Sequence, residues 1–176
     1  MKLTRSSERV SEIGEVFTPS HIVDEMHSLL CKKKWADKTM IYLEPTCGNG
    51  QFLVAAVQKK MDAGLSPEQA VNTTFGLDIM KDNIEDSRRR VLEVALGGTR
   101  WHKGQAERIA AIVCHNIFVV KDTLEFIRPS YFDEGTGWDG YPFLYDDPTD
   151  ESGVSGKVER KKDEAAGKEL LKARKK

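Results

Sequence analysis

The sequence predicts an α/β protein: an open, mostly parallel sheet with helices on both faces, in one domain. Three observations predict it. Apolar stripes at helical period alternate with short apolar runs in the order helix, strand, helix, helix, strand, helix, helix, strand. The runs expected as strands, Met40–Leu43, Thr73–Leu77 and Asn116–Val120, each lead into polar groups suited to a ligand-binding edge. Strands separated by helices imply parallel pairing with helical layers packed on the sheet.

Each element has its own signal. Residues 1–12 are polar and expected to be flexible. Ser20 is placed to cap a helix whose apolar positions Ile22, Val23, Met26, Leu29 and Leu30 share one face, and Lys32–Lys34 suit its C-terminal end. After the first strand, Phe52, Leu53, Ala56, Val57 and Met61 repeat at helical spacing up to Gly64. Ser66-Pro-Glu-Gln69 has the form of a capping box with proline at the first helical position. The second strand, Thr73–Leu77, ends at Asp78. Asp82 with Glu85 three residues on predicts the next helix, through Val91, Leu92 and Leu96 to Gly97-Gly98. A helix over about 107–115 leads into the third strand and Asp122. Beyond Pro129 periodicity fades, and Gly135, Gly137, Gly140, Pro142 and Pro148 punctuate the chain. The expected organisation is a flexible 1–12, a domain over 13–150, and a charged, disordered or helical tail over 151–176.

Composition narrows the function classes. The 176 residues suffice for one domain with a real core. The longest clean apolar runs, Phe52–Val57 and Ile109–Cys114, fall far short of the roughly 20 residues of a bilayer span. The N-terminal residues lack an apolar stretch of the secretory type, so a cytoplasmic location is expected. Three cysteines without a C-x-x-C pair argue against a disulfide framework or a cysteine-rich zinc site. His21, His27, His102 and His115 have no metal-ligand spacing with any cysteine, so no metal is expected. The formal net charge of -1 hides an asymmetry: residues 157–176 carry nine basic and four acidic side chains. Such a tail can touch the phosphates of a nucleic acid, or simply keep the chain soluble. The acidic body argues against a broad DNA-binding face on this chain alone.

The strand ends carry the chemistry. Glu44-Pro-Thr-Cys-Gly-Asn-Gly50 follows the first strand, and its glycines let the backbone turn tightly and approach a ligand. The next helix points its N-terminal amides at the same place. Asp78 is positioned to accept hydrogen bonds from a ribose diol, and Asp122 from an exocyclic amine such as that of adenine. Ile79 can pack against a base plane. Each signal alone is weak, since an aspartate after a strand is often a turn or cap residue; their conjunction in order is what points to a nucleoside.

Gly14-Glu-Val-Phe-Thr-Pro19, the segment Leu43-Glu-Pro-Thr-Cys-Gly-Asn-Gly-Gln-Phe-Leu53, Phe75-Gly-Leu-Asp-Ile79 and Asn116-Ile-Phe-Val-Val-Lys-Asp-Thr-Leu124 together resemble a known family. They are similar to the cofactor-binding, N-terminal half of the S-adenosylmethionine-dependent N6-adenine DNA methyltransferases of restriction–modification type. The resemblance spans about residues 13–125 and implies a Rossmann-like class I methyltransferase fold, compact or truncated, in a bacterial or phage-infected cell. It implies that Phe17, Thr18 and Pro19 line the methionine end of the cofactor. Glu44, Pro45, Cys47, Gly48, Asn49, Gly50 and Phe52 belong to the segment that would hold its amino-acid portion. Asp78 would bind the ribose, Ile79 the adenine face and Asp122 the adenine amine, with Leu124 beside it. Nothing marks Cys47 as a nucleophile.

The sequence also departs from that family. Such enzymes hold the flipped-out adenine with Asn or Asp, two prolines and an aromatic residue. Here Asp147-Pro148 is the nearest remnant, with Thr149 and Asp150 where the second proline and the aromatic would stand. Asp147 and Pro148 are therefore the candidate catalytic residues, in an incomplete motif. Two functions follow: methyl transfer to adenine in DNA, or a cofactor-binding accessory subunit in a restriction or anti-restriction context. DNA, a second copy of the chain or a specificity subunit are the expected partners. A nicotinamide dehydrogenase fits less well, because the first loop lacks the third glycine of G-x-G-x-x-G. A three-stranded sheet with the first strand at its edge would need further strands from 126–150, or a partner, to cover that edge.

Overall fold

A computed structural model of the chain describes residues 3–97, 101–123 and 153–174. The elements run α1 (Ser7–Ile13), α2 (Ser20–Ser28), α3 (Lys32–Trp35), β1 (Tyr42–Glu44), α4 (Gln51–Asp62), α5 (Pro67–Asn72), β2 (Thr74–Asp78), α6 (Lys81–Leu96), α7 (Lys103–Asn116), β3 (Ile117–Val119) and α8 (Gly153–Arg174). The strands form one three-stranded parallel sheet in the order β1-β2-β3. Leu43 lies opposite Phe75, and Leu77 opposite Phe118. The α/β class and parallel pairing are as the sequence predicts, and the structure is compatible with a Rossmann-like fold.

Every residue of β2 is buried, so both faces of the central strand are covered. The main core joins Leu53 and Val57 of α4, Ile84 and Leu92 of α6, Ile109 and Ile112 of α7, and Ile117 of β3. Candidate strands from 126–150 lie outside the described residues, and among those described β1 stands at an edge. No helix among them is long and apolar enough to cross a membrane.

Element ends shift where side chains compete with backbone pairing. β3 starts at Ile117 because Asn116 stays in α7, its Nδ2 donating to the carbonyls of Val71 (2.9 Å) and Asn72 (3.0 Å) at the end of α5. Lys32–Lys34 do not close α2; the chain turns extended at Cys31 and forms α3, which buries Trp35 against His27, with ring centroids 5.1 Å apart. The capping box at α5 is present in both directions between Ser66 and Gln69.

The two ends of the chain are more ordered than composition alone suggests. Ser6 caps α1, which buries no residue of its own. Ion pairs hold it to α6: Arg5 with Asp82 and Asp86, and Arg9 with Asp82. At the other end α8 packs along α7. A Cβ at Gly167 would lie 2.6 Å from the Ala111 nitrogen, so only glycine lets the two helices approach this closely. His115 Nδ1 meets Asp163 Oδ2 at 2.8 Å, and Leu170 and Leu171 pack against the core.

Lys60 of α4 is fully buried, its ammonium donating to Met40 O (3.1 Å), Thr73 O (2.8 Å) and Thr73 Oγ1 (2.6 Å). It clips together the approaches to β1 and β2. Burial pushes the ammonium down to about 7, and the three acceptors pull against that shift. A lysine held below its unfolded value binds fewer protons folded than unfolded between these two values. Stability therefore rises with pH from about 7 toward the unfolded lysine value near 10.4. Urea titrations at pH 7 and pH 9 are expected to show that gain relative to Lys60→Met, in which this contribution is absent; equal pH dependence in the two proteins contradicts it.

Candidate functional site

The site is built where β1 and β2 end. Asp78 closes β2 and is buried at 8% exposure. Its Oδ1 accepts from the Met80 amide at 2.8 Å, turning the chain into α6, and from Asn83 Nδ2 at 3.3 Å. Its Oδ2 accepts from the Gly48 amide at 2.9 Å, tying the loop after β1 to the end of β2. The helix starts at Lys81 with Met80 at its N-cap and no side-chain cap, so Asp82, which the sequence assigns to the cap, lies inside the first turn. Asp82 instead receives Arg9.

The loop over 45–50 is held from below by α6. Ser87 Oγ donates to Gly48 O at 2.8 Å; Arg90 donates to Asn49 O at 2.7 Å and to Gln51 Oε1 at 2.9 Å. Gly50 has φ 84°, and a Cβ there would meet Ser87 Oγ at 2.9 Å and Ser87 Cα at 3.0 Å. The Phe17 ring lies over Gly48, 3.3 Å from where a Cβ would stand. Arg5 approaches the Phe17 ring centroid at 5.8 Å.

These contacts enclose a cleft of about 290 Å³ whose walls include Phe17, Gly48, Asp78 and Ile79, together with Glu15 and Asn83. Ile79 is 48% exposed and, with Ile13 and Val16, gives the cleft an apolar rim. A carboxylate offers about four lone-pair directions. Three donors already meet Asp78, so one direction remains for a ligand hydroxyl. A diol gaining both its bonds must displace Asn83, the longest of the three contacts.

The other expected residues sit differently. Thr18 and Pro19 lead away from the cleft into α2, with Pro19 at its N-cap. Glu44 is half-buried at the end of β1, and burial raises its carboxyl; Thr46 donates to it from N and Oγ1, both at 3.4 Å. Pro45 separates it from Thr46, which lines the cleft. Cys47 turns inward toward Ser87, and burial pushes its thiol up to about 12, which removes it as a nucleophile at neutral pH. Asn49 presents its carbonyl to Arg90, while its Oδ1 has no partner among the described residues. Phe52 packs on His27 with centroids 5.5 Å apart, in the cluster with Trp35 and Tyr42. Asp122 is exposed, one residue before Thr123, which lines the cleft. Leu124, Asp147 and Pro148 lie outside the described residues.

Asn83, Ser87 and Arg90 had no signal of their own, and Glu15 stands inside the Gly14–Pro19 motif with no role assigned to it. Asn83, Ser87 and Arg90 lie on α6, where helical periodicity marks only apolar positions, and Glu15 sits in a connection. A larger hollow of about 830 Å³ lies elsewhere, between the end of α6, α7 and α8. Its charged rim includes the neighbour pairs Lys103–Glu107 and Lys172–Glu169, and no strand end reaches it. The smaller cleft is the better candidate because buried, convergent polar groups from separate segments meet there. Compared with known protein families, curated proteins and solved structures, the chain matches none of them.

Proposed function

We propose that the chain binds S-adenosylmethionine in this cleft and belongs functionally with the adenine-N6 DNA methyltransferases. One observation carries the proposal: Phe17, Gly48, Asp78 and Ile79, singled out in three separate sequence segments, line a single cleft. The residues suit the group. Gly48 leaves the space that a Cβ would fill beneath Phe17, Asp78 retains one acceptor direction, and the rim is apolar. The volume, about 290 Å³, falls just below the about 300–1,000 Å³ usual for ligand pockets. The cofactor, when bound, supplies an activated methyl group, and the chain's contribution is to position it and exclude water.

DNA is the proposed methyl acceptor, with the exposed lysines Lys161 and Lys162 of α8 as its phosphate contacts. A second function, a non-catalytic accessory subunit, is supported by Thr149 and Asp150 standing in the remnant of the target-base motif. Incubation with methyl-labelled S-adenosylmethionine and DNA of mixed sequence separates the two. Label in DNA supports the enzyme, binding without transfer supports the accessory subunit, and absence of binding ends both.

A further inference from the structure

The cleft wall formed between α1 and α2 contains a carboxylate with an unused oxygen. Glu15 lines the cleft with its side chain 8% exposed. Its Oε1 receives Arg9 at 2.6 Å and Asn83 Nδ2 at 2.8 Å; its Oε2 has no hydrogen-bond partner among the described residues. A buried carboxylate without its full set of donors is unfavourable, and a positive charge brought into the cleft beside it relieves it. The same Asn83 nitrogen also donates to Asp78 Oδ1, so one neutral amide bridges two carboxylates in one cleft.

The surrounding charges do not cancel the pair. Arg9 divides its guanidinium between Glu15 and Asp82. Arg5 donates to Asn83 Oδ1 at 3.0 Å and pairs with Asp82 and Asp86. Asp86 also meets Arg89, which it shares with Glu93, so within this network the five carboxylates of Glu15, Asp78, Asp82, Asp86 and Glu93 face the three guanidiniums of Arg5, Arg9 and Arg89. In a partly desolvated cleft such an imbalance acts on a ligand's charge more strongly than it does in water.

We propose that the carboxylate pair Glu15–Asp78 makes the cleft selective for a positively charged ligand, holding a sulfonium nucleoside more tightly than its neutral thioether counterpart. The inference rests on the cofactor proposed above and adds a direction to it. When the S–CH3 bond breaks, its electron pair stays on sulfur and the positive charge is lost; the acceptor nitrogen gains the methyl and releases a proton. The spent thioether then meets a cleft that no longer favours it, which promotes its release.

Calorimetric titration of the full chain with S-adenosylmethionine and with S-adenosylhomocysteine tests this. The wild-type chain is expected to prefer the sulfonium by roughly tenfold, the scale of one unit charge attracted to carboxylates in a partly desolvated cleft. Glu15→Gln keeps the shape and is expected to bring the ratio toward one by weakening the sulfonium only. Arg9→Gln breaks the same ion pair but leaves the carboxylate, and is expected to keep or raise the ratio. Mere loosening of α1 would instead weaken both ligands alike in both variants, and that result overturns the proposal, as does an unchanged ratio in Glu15→Gln. Salt provides a check without substitution: added salt is expected to weaken the sulfonium more than the thioether in the wild-type chain, and equal weakening counts against the proposal. If neither nucleoside binds the wild-type chain, the proposed cofactor itself is refuted, and the charge selectivity with it.

Discussion

Gly50→Ala is expected to lower the stability of the chain by about 2–5 kcal/mol and to weaken nucleoside binding with it. Two separate effects add at this position. The backbone is left-handed, φ 84°, which disfavours any residue with a Cβ by about 1–2 kcal/mol. The new methyl would also stand 3.0 Å from Ser87 Cα, a backbone atom that cannot rotate away, and such overpacking costs about 1–3 kcal/mol. Moving Ser87 disturbs its 2.8 Å bond to Gly48 O, and hence the floor of the cleft. Gly64→Ala separates the two effects: that residue also has a positive φ, 106°, but nothing lies within 4 Å of the added Cβ. Urea denaturation is expected to show a clearly smaller loss for Gly64→Ala; equal losses would mean that α6 gives way freely beneath the loop.

Asp78→Ala is expected to impair both fold and ligand binding. Three donors lose their acceptor: the Gly48 and Met80 amides at 2.9 and 2.8 Å and the Asn83 amide at 3.3 Å. Hydrogen bonds to a charged group contribute about 1.5–3 kcal/mol each, but these share one side chain and do not simply add. A loss of about 2–4 kcal/mol in stability is expected. S-adenosylmethionine binding should weaken by a further 1.5–3 kcal/mol, about tenfold or more, in the fraction that remains folded. Asp78→Asn preserves the volume and one acceptor. Because its amide group cannot accept from both the Gly48 and Met80 sides, it is expected to fall between wild type and alanine in both measurements. Thermal unfolding and calorimetry on the three proteins check this order. Unchanged affinity in a folded alanine variant would remove Asp78 from the binding site.

Much of the framework was legible because it depends on short-range rules. The apolar stripe Phe52–Met61 became α4, the Ser66–Gln69 capping box closed as its spacing requires, and Asp78 stands at the end of a fully buried strand. The misplaced ends have a common cause. Polar side chains chose partners far along the chain: Asn116 left its strand for the carbonyls of α5, and Asp82, inside the first turn and not at the cap, took Arg9. Periodicity carries no record of such choices. The order at the chain ends was hidden for the same reason, since α1 rests on ion pairs spanning more than seventy positions, such as Arg9 to Asp82. Within the candidate site, the sequence motifs contain the loop over 45–50 and Asp78, which line one cleft or lie against it. They gave no role to Glu15, which one of them contains, or to Asn83, and the two meet only through a hydrogen bond between residues 68 positions apart.

Amide chemical shifts of the uniformly labelled chain, followed during addition of S-adenosylmethionine, test the central claim most directly. The account predicts that Gly48, Asn49, Gly50, Asp78, Ile79 and Met80 move together along one binding curve while Lys103–Ala106 and Lys168 stay still. Shifts confined to the hollow beside α8, or no shifts at saturating nucleoside, would contradict it.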